Sequence, residues 1–218
     1  MADIWLIRHG QAGALMGDYD RLSPTGWAQA RRAGERWRHL GDVHRVVHGS
    51  MRRHRESAQG FAETWPGLPA PEEDPRWNEF DHRVVMQAAF AAGQPTPTDK
   101  AAFFALFIDA MNRWAGGQHD ADYTETYGQF QARVVAGLEA VQGALGRGET
   151  ALVFTSGGAI SAVCRHLLGL TPEMAFRVNL VLVNTGFTRV QVGRGQASLV
   201  SLNVTSHLDD TPELRTLA

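Results

Sequence analysis

Two places in the 218-residue chain bring chemically capable side chains to the end of an apolar run. Ile4 to Ile7 stops at Arg8-His9-Gly10, and Thr150 to Thr155 stops at Ser156-Gly157-Gly158. A third group, Arg52-Arg53-His54-Arg55, lies in a stretch with a helical pattern. Short apolar runs bounded by turn residues read as buried strands. In open α/β sheets, ligands bind beyond the carboxyl ends of such strands. Guanidinium groups gathered there suit an anion, because the arginine fork matches carboxylate and phosphate. A strand, a serine and a helix in succession also raise serine hydrolase chemistry at Ser156. A nucleophile elbow needs glycine two residues before the serine, where this chain has Phe154, and His207 precedes Asp209 instead of following it.

The elements that must position these residues follow from periodicity and caps. Ser23-Pro24 is a good N-cap and first-turn pair for a helix in which Trp27, Ala30, Gly34 and Trp37 recur. Val43 to Val47 reads as a strand, and Met51 to Trp65 as a helix. Pro66 to Pro75 reads as a proline-rich connection, and Asn78 to Pro97 as a loop or short helices. Asp99 caps a helix to Trp114 with a stripe of Phe103, Leu106, Phe107 and Met111. Another helix runs from about Thr126 to Leu145, with Phe130, Val134, Leu138, Val141 and Leu145 on one face. A helix from Ala159 to Leu168 follows the Thr150 strand. Leu180 to Asn184, Thr188 to Val192 and Ala197 to Val204 look like further strands. Alternating strands and helices predict an α/β fold with a largely parallel sheet covered on both faces. No internal repeat or domain-sized linker interrupts it, so residues 1–218 read as a single domain with a helical insertion at about 78–125.

Composition narrows the function. With 44% hydrophobic and 20% charged residues the chain is globular in character. A chain of this length buries roughly 70% of the surface its unfolded form exposes. The formal charge of −2 excludes a generally basic nucleic-acid binder. Of 21 basic residues only Lys100 is lysine; codon bias accounts for most of the arginines. Cys164 is the single cysteine, placed in an apolar helical stretch as a core thiol. No signal-peptide pattern and no apolar run of membrane-spanning length is present, which predicts a cytoplasmic protein without a membrane partner. No metal-ligand spacing appears, His207 and Asp209-Asp210 included, and no cofactor is implied. The six tryptophans mostly fall at helical spacing and read as core, with Trp77 and Trp114 near enough to the insertion to line a pocket.

Five blocks together carry a resemblance. Leu6-Ile7-Arg8-His9-Gly10-Gln11-Ala12, Leu22-Ser23-Pro24-Thr25-Gly26-Trp27-Ala28-Gln29-Ala30, Arg53-His54-Arg55-Glu56-Ser57-Ala58, Val153-Phe154-Thr155-Ser156-Gly157-Gly158 and Asn184-Thr185 occur in order. In sequence and separation they resemble the histidine phosphatase superfamily, the phosphoglycerate mutase-like branch. The resemblance implies a three-layer α/β/α sandwich with a mostly parallel sheet. It implies His9 as a nucleophile that forms a phosphohistidine, with Arg8 and Arg53 clamping the phosphoryl oxygens. Trp77-Asn78-Glu79-Phe80-Asp81 resembles the segment bearing the general acid, so Glu79 takes that role with Asp81 in reserve. Gly10, Gln11, Ser156 and Gly157 are expected to bind substrate.

The chain departs from the pattern at one point. Ser156 stands where the family has a second histidine before glycine. A serine hydroxyl donates one hydrogen bond but brings no charge. Gly157 and Gly158 could present backbone N–H groups to phosphate at a helix N-terminus, and Ser156 could instead serve as a plain helix N-cap. His48, His82 and His119 are the candidates for a replacement imidazole. Arg52 and Arg55 read as a solvated basic face or as extra phosphate contacts. The expected function is a phosphomonoester hydrolase acting on a small phosphorylated metabolite or a phosphoprotein. The alternatives are a catalytically weakened phosphate-ligand binder of the same fold and a mutase-type phosphotransferase. A homodimer is compatible with the sequence.

Overall fold

Alternation along two central strands feeds two separate cores. In β1 (Ala2–Arg8), Ile4 and Leu6 enter one core and Ile7 the other; in β4 (Thr150–Thr155), Ala151 and Val153 pair with the first, Leu152 and Phe154 with the second. The computed structural model describes residues 1–13, 20–65, 67–193 and 195–217. The second core is closed by α1 (Pro24–Trp37) through Ala33 and Trp37 and by α2 (Arg52–Ala62) through Ala58 and Phe61. The first core takes α3 (His82–Ala91), α4 (Lys100–Ala115), α5 (Tyr127–Gly143), α6 (Gly157–Leu168) and Phe176 of α7 (Pro172–Val181). Cys164 is fully buried in it, and burial pushes its thiol up to about 11. These are the three layers of an α/β fold.

The sheet adds β2 (Arg45–His48), β3 (Glu72–Glu73), β5 (Phe187–Gly193) and β6 (Gln196–Val204), in the order β3-β2-β4-β1-β5-β6. The pairs from β3 to β1 are parallel, and β5 runs antiparallel to both β1 and β6. The sheet is therefore mixed, with its parallel part carrying β1 and β4 side by side. Their register, Arg8 opposite Thr155, sets the two sequence-predicted strand ends at one level.

Local signals explain most elements. Ser23 Oγ accepts from Gly26 N at 3.1 Å, and Asp99 accepts from Ala102 N at 2.8 Å. Thr126 and Gln129 form a reciprocal capping box at the start of α5. Within the insertion, α3 is capped by Asp81, which accepts from Arg83 N at 2.9 Å. The strand expected over Leu180–Asn184 is instead the last turn of α7 and the loop beyond it. Thr171 and Pro172 start that helix, and its Leu180 and Val181 are exposed, so the apolar run reflects a helix edge. Of the tryptophans, Trp37, Trp77 and Trp114 are core, while Trp5, Trp27 and Trp65 are half-buried. Phe103, expected in the α4 stripe, is exposed, whereas Leu106 and Met111 are buried. Among the described residues no helix is long and apolar enough to cross a membrane.

Candidate active site

The end of β1 is held from three sides. His9 N donates to Thr155 O at 2.8 Å, Thr185 N to Arg8 O at 3.0 Å, and Asn184 Nδ2 to His9 O at 3.0 Å. Thr185 does this with φ of +60°, a left-handed conformation that a β-branched residue adopts only under constraint. Its Oγ1 bonds Asn184 O at 2.6 Å and His207 Nε2 at 2.9 Å. The Asn184-Thr185 block thus fixes the backbone of Arg8 and His9.

Gly10 and Gly26 pass so closely that a Cβ on Gly10 would overlap Gly26 O, and one on Gly26 would overlap Gln11 O. Gly10 N donates to Ser57 Oγ at 3.0 Å, and Ser57 Oγ donates to Arg53 O at 2.6 Å. This single hydroxyl explains the spacing of Arg53 and Ser57: it ties the first turns of α2 to the loop after His9. Gln11 belongs to the same scaffold. Its N–H donates to Gln29 Oε1 at 2.7 Å, and its side-chain oxygen accepts from Ser23 Oγ at 2.8 Å.

His9 is buried, and its Nδ1 lies 2.7 Å from Gly10 O. A carbonyl only accepts, so the proton of the neutral ring sits on Nδ1 and the lone pair on Nε2. Burial, then the charges of Arg53 and Arg8 and the neighbouring His54, hold its pKa well below the usual histidine value, against a smaller opposing effect of the Gly10 bond. The ring is neutral near pH 7. Arg8 Nη1 donates to Leu182 O, and Arg53, 5% exposed, donates from Nη1 to Asp20 Oδ1 at 2.8 Å.

Glu79 arrives on a segment pinned by three hydrogen bonds. Thr155 Oγ1 donates to Trp77 O at 2.6 Å, Arg133 Nη1 to Asn78 O at 3.0 Å, and Asn78 Nδ2 to Ser50 Oγ at 2.7 Å. Arg133 itself is held by both oxygens of Glu125 at 2.7 and 2.8 Å. The Glu79 carboxyl accepts from Gly158 N at 2.9 Å and Phe80 N at 3.1 Å. Desolvation nevertheless raises its pKa above the usual carboxylate value, outweighing those bonds and the charges of Arg53 and Arg8. Gly158 therefore serves Glu79, which corrects the expectation that its N–H is offered to phosphate. Gly157 has a packing reason too, since a Cβ there would overlap Asn179 Oδ1 and sit 3.6 Å from Arg8 Nε. Asp81 is committed to capping α3.

Ser156 occupies the N-cap position of α6 but makes no side-chain cap bond. Its Oγ lies 2.6 Å from His54 Nε2, and the His54 ring is 5.7 Å, centroid to centroid, from that of His9. The imidazole on Ser156 is thus His54, and of the other candidates His82 lines a cavity with Asp20 and Arg53. His48 ends β2 with Nδ1 on Gly49 O at 2.8 Å, His82 opens α3, and His119 lies on an exposed turn. Sequence reasoning missed His54 because it sits inside a basic cluster, 102 positions from its partner. In that cluster Arg52 pairs with Glu56 at 2.7 Å and Arg55 is exposed.

Two cavities open beside these groups. One of about 340 Å³ is lined by Met51, Glu79, Phe80, Trp114, Glu125 and Arg133, among others; a neighbouring one of about 190 Å³ includes Asp20, Arg53 and His82. Met51, Phe80 and Asp81 line both.

Comparison with known proteins agrees with this fold. A mutant phosphoserine phosphatase from Entamoeba histolytica in complex with phosphoserine superposes with TM-score 0.68 at 21% identity, over 95% of this chain and 100% of that one. A putative alpha-ribazole-5'-P phosphatase from Escherichia coli gives 0.66 at 22%, over 93% and 96%. A phosphoglycerate mutase from Bacillus anthracis gives 0.66 at 16%, over 95% of each chain. At these identities the likeness is one of fold. No curated protein sequence matches the chain. The family model described as histidine phosphatase superfamily (branch 1) matches residues 4–205, a span that holds Arg8, His9, Arg53, Glu79 and Ser156 together; the chain belongs to that superfamily.

Proposed function

We propose that this chain is a phosphomonoester hydrolase that works through a phosphohistidine at His9. The observation that carries the reading is the His9–Gly10 contact: with the proton held on Nδ1, Nε2 is a neutral nucleophile flanked by Arg8 and Arg53. In the first step Nε2 bonds to phosphorus and the ester P–O bond breaks. Glu79, whose pKa burial raises above the usual carboxylate value, transfers a proton to the leaving oxygen. The imidazole becomes cationic as it is phosphorylated, and the Nδ1–H bond to Gly10 O strengthens with that charge. In the second step the Glu79 carboxylate takes a proton from water as its oxygen attacks phosphorus. The P–N bond breaks, inorganic phosphate leaves, and neutral His9 and protonated Glu79 are restored. The two arginines offset charge on the phosphoryl oxygens throughout.

The carboxylate-rich cavity beside Glu79 supports hydrolysis over mutase-type transfer. The described walls of the 340 Å³ cavity carry the carboxyls of Glu79, Asp81 and Glu125, and their one cation, Arg133, is already bound bidentately by Glu125. A phosphorylated acid retained for re-delivery needs a cation for its carboxylate; an uncharged or hydroxyl-rich leaving group does not. The proposed substrate class is a small phosphate monoester. Steady-state release of phosphate from a chromogenic aryl phosphate, wild type against His9→Ala, tests the activity. Turnover that survives His9→Ala, or absence of turnover in the wild type across many phosphate esters, overturns it.

A further inference from the structure

The His54–Ser156 bond has a hydrogen to account for. A neutral imidazole carries one N–H and a serine one O–H, and this pair shares a single bond between buried side chains. If Ser156 donated, the imidazole hydrogen would sit on Nδ1. That atom is buried without a hydrogen-bond partner among the described residues. It also lies against Gly49, so closely that a Cβ there would overlap it, and no ligand fits between. Donation from His54 Nε2 would equally leave the buried Ser156 O–H without an acceptor among the described residues, so each direction leaves one hydrogen unmatched and the contact stands whichever group donates.

The bond joins the two pieces of backbone that carry the rest of the site. On one side, His54 follows Arg53 in the first turn of α2, and its ring stands 5.7 Å from that of His9. On the other, Ser156 leads into Gly157, which abuts Arg8 Nε, and into Gly158, whose N–H holds Glu79. We propose that His54, through its hydrogen bond to Ser156, is a positioning residue for phosphoryl chemistry: it ties α2 to the start of α6 and so sets Arg53, His9 and Glu79 relative to one another. By resemblance the family places an imidazole at position 156; here the ring reaches the same corner from α2. The inference rests on the proposed phosphatase activity and adds to it a residue outside the acid–nucleophile–arginine set. Simple core packing is the competing account, and an unbranched apolar residue of similar size would satisfy it.

The variants are His54→Met, which keeps bulk without a donor, His54→Gln, which keeps an N–H at similar reach, Ser156→Ala, and the His54→Met/Ser156→Ala pair. Aryl phosphate hydrolysis and thermal unfolding are measured for each. The expected result is a kcat lowered on the order of 10- to 100-fold in His54→Met and Ser156→Ala, with KM changed by less than about threefold. The pair should be no worse than the poorer single, because both remove one interaction, and His54→Gln should retain most of the activity. Wild-type kcat in His54→Met, multiplicative losses in the pair, or a His54→Gln no better than His54→Met would each overturn the proposal. If His54→Met does not fold, the comparison of His54→Gln with Ser156→Ala decides in the same terms. His9-dependent turnover that ignores these substitutions removes only the positioning role. Wild type lacking such turnover removes the phosphatase reading, and the positioning role with it. Nitrogen-15 spectra of the histidines test the bond alone: the Nε2 resonance of His54 should move in Ser156→Ala.

Discussion

The backbone N–H of Gly158 holds the carboxyl of Glu79 at 2.9 Å, and a Cβ on Gly158 would overlap Glu79 Oε1. A glycine at a helix start thus seats the proposed acid. Gly158→Ala should displace Glu79 and lower kcat on the order of 10²-fold, since misplacement of about 1 Å has that effect. Glu79→Gln, which keeps the shape and loses the proton, should cost on the order of 10²–10⁴. Both losses should be larger for alkyl than for aryl phosphates, whose leaving oxygens need less protonation. Relative kcat on the two ester types checks this.

The pH profile follows from two opposite displacements. His9 must be neutral, and its pKa is held below the usual value; Glu79 must be protonated, and its pKa is raised. Activity should therefore persist into acid without a His9 limb near the ordinary histidine pKa, and should fall on the alkaline side as Glu79 ionises. In Glu79→Gln the residual rate should lose that alkaline limb. Profiles of kcat/KM for the two proteins provide the comparison.

The arginines differ in what they lean on. Arg53 is buried against Asp20, whereas Arg8 bonds a main-chain carbonyl at Leu182. Replacing either by alanine should lower kcat on the order of 10²–10³, as loss of a transition-state donor does. Arg53→Lys should recover little, because an ammonium cannot reproduce the two-pronged contact. Arg55→Ala, on the exposed side of α2, should leave kcat unchanged.

Much of this site was legible in the chain. The Thr150–Thr155 strand, the Ser23-Pro24 helix start and the strand end at Arg8-His9 follow from local pattern and caps, and these set His9 beside Thr155 once the strands pair. What was illegible is tertiary. His54 reads as one more polar residue among arginines, and only folding brings it to Ser156. The Gly158 N–H reads as an anion site until Glu79, 79 residues earlier in the chain, takes it. The difference at α7 has a local cause: Val181-Leu182-Val183 has strand composition, whereas the Thr171-Pro172 pair starts a helix that runs to Val181.

Acid stability provides a separate check on the scaffold. His207 is buried on Thr185 Oγ1, and burial, with Arg32, Arg215 and Arg36, lowers its pKa to about 4. A depressed folded-state value favours the neutral ring. The stabilisation is complete above the unfolded pKa of about 6.5 and is lost as pH falls from there toward the folded value. Between neutrality and about pH 5 this single group should cost about 2 kcal/mol. Urea unfolding should show that loss in the wild type and a smaller one in His207→Gln.

In the proposed reaction phosphorus is carried by His9 Nε2. Rapid mixing with a phosphorus-32-labelled monoester, followed by alkaline denaturation and peptide mapping, reads it directly. Label on the peptide containing His9, stable in base, released by acid and absent from His9→Ala, is the expected result. Label elsewhere, or hydrolysis with no labelled enzyme at any mixing time, would contradict the mechanism.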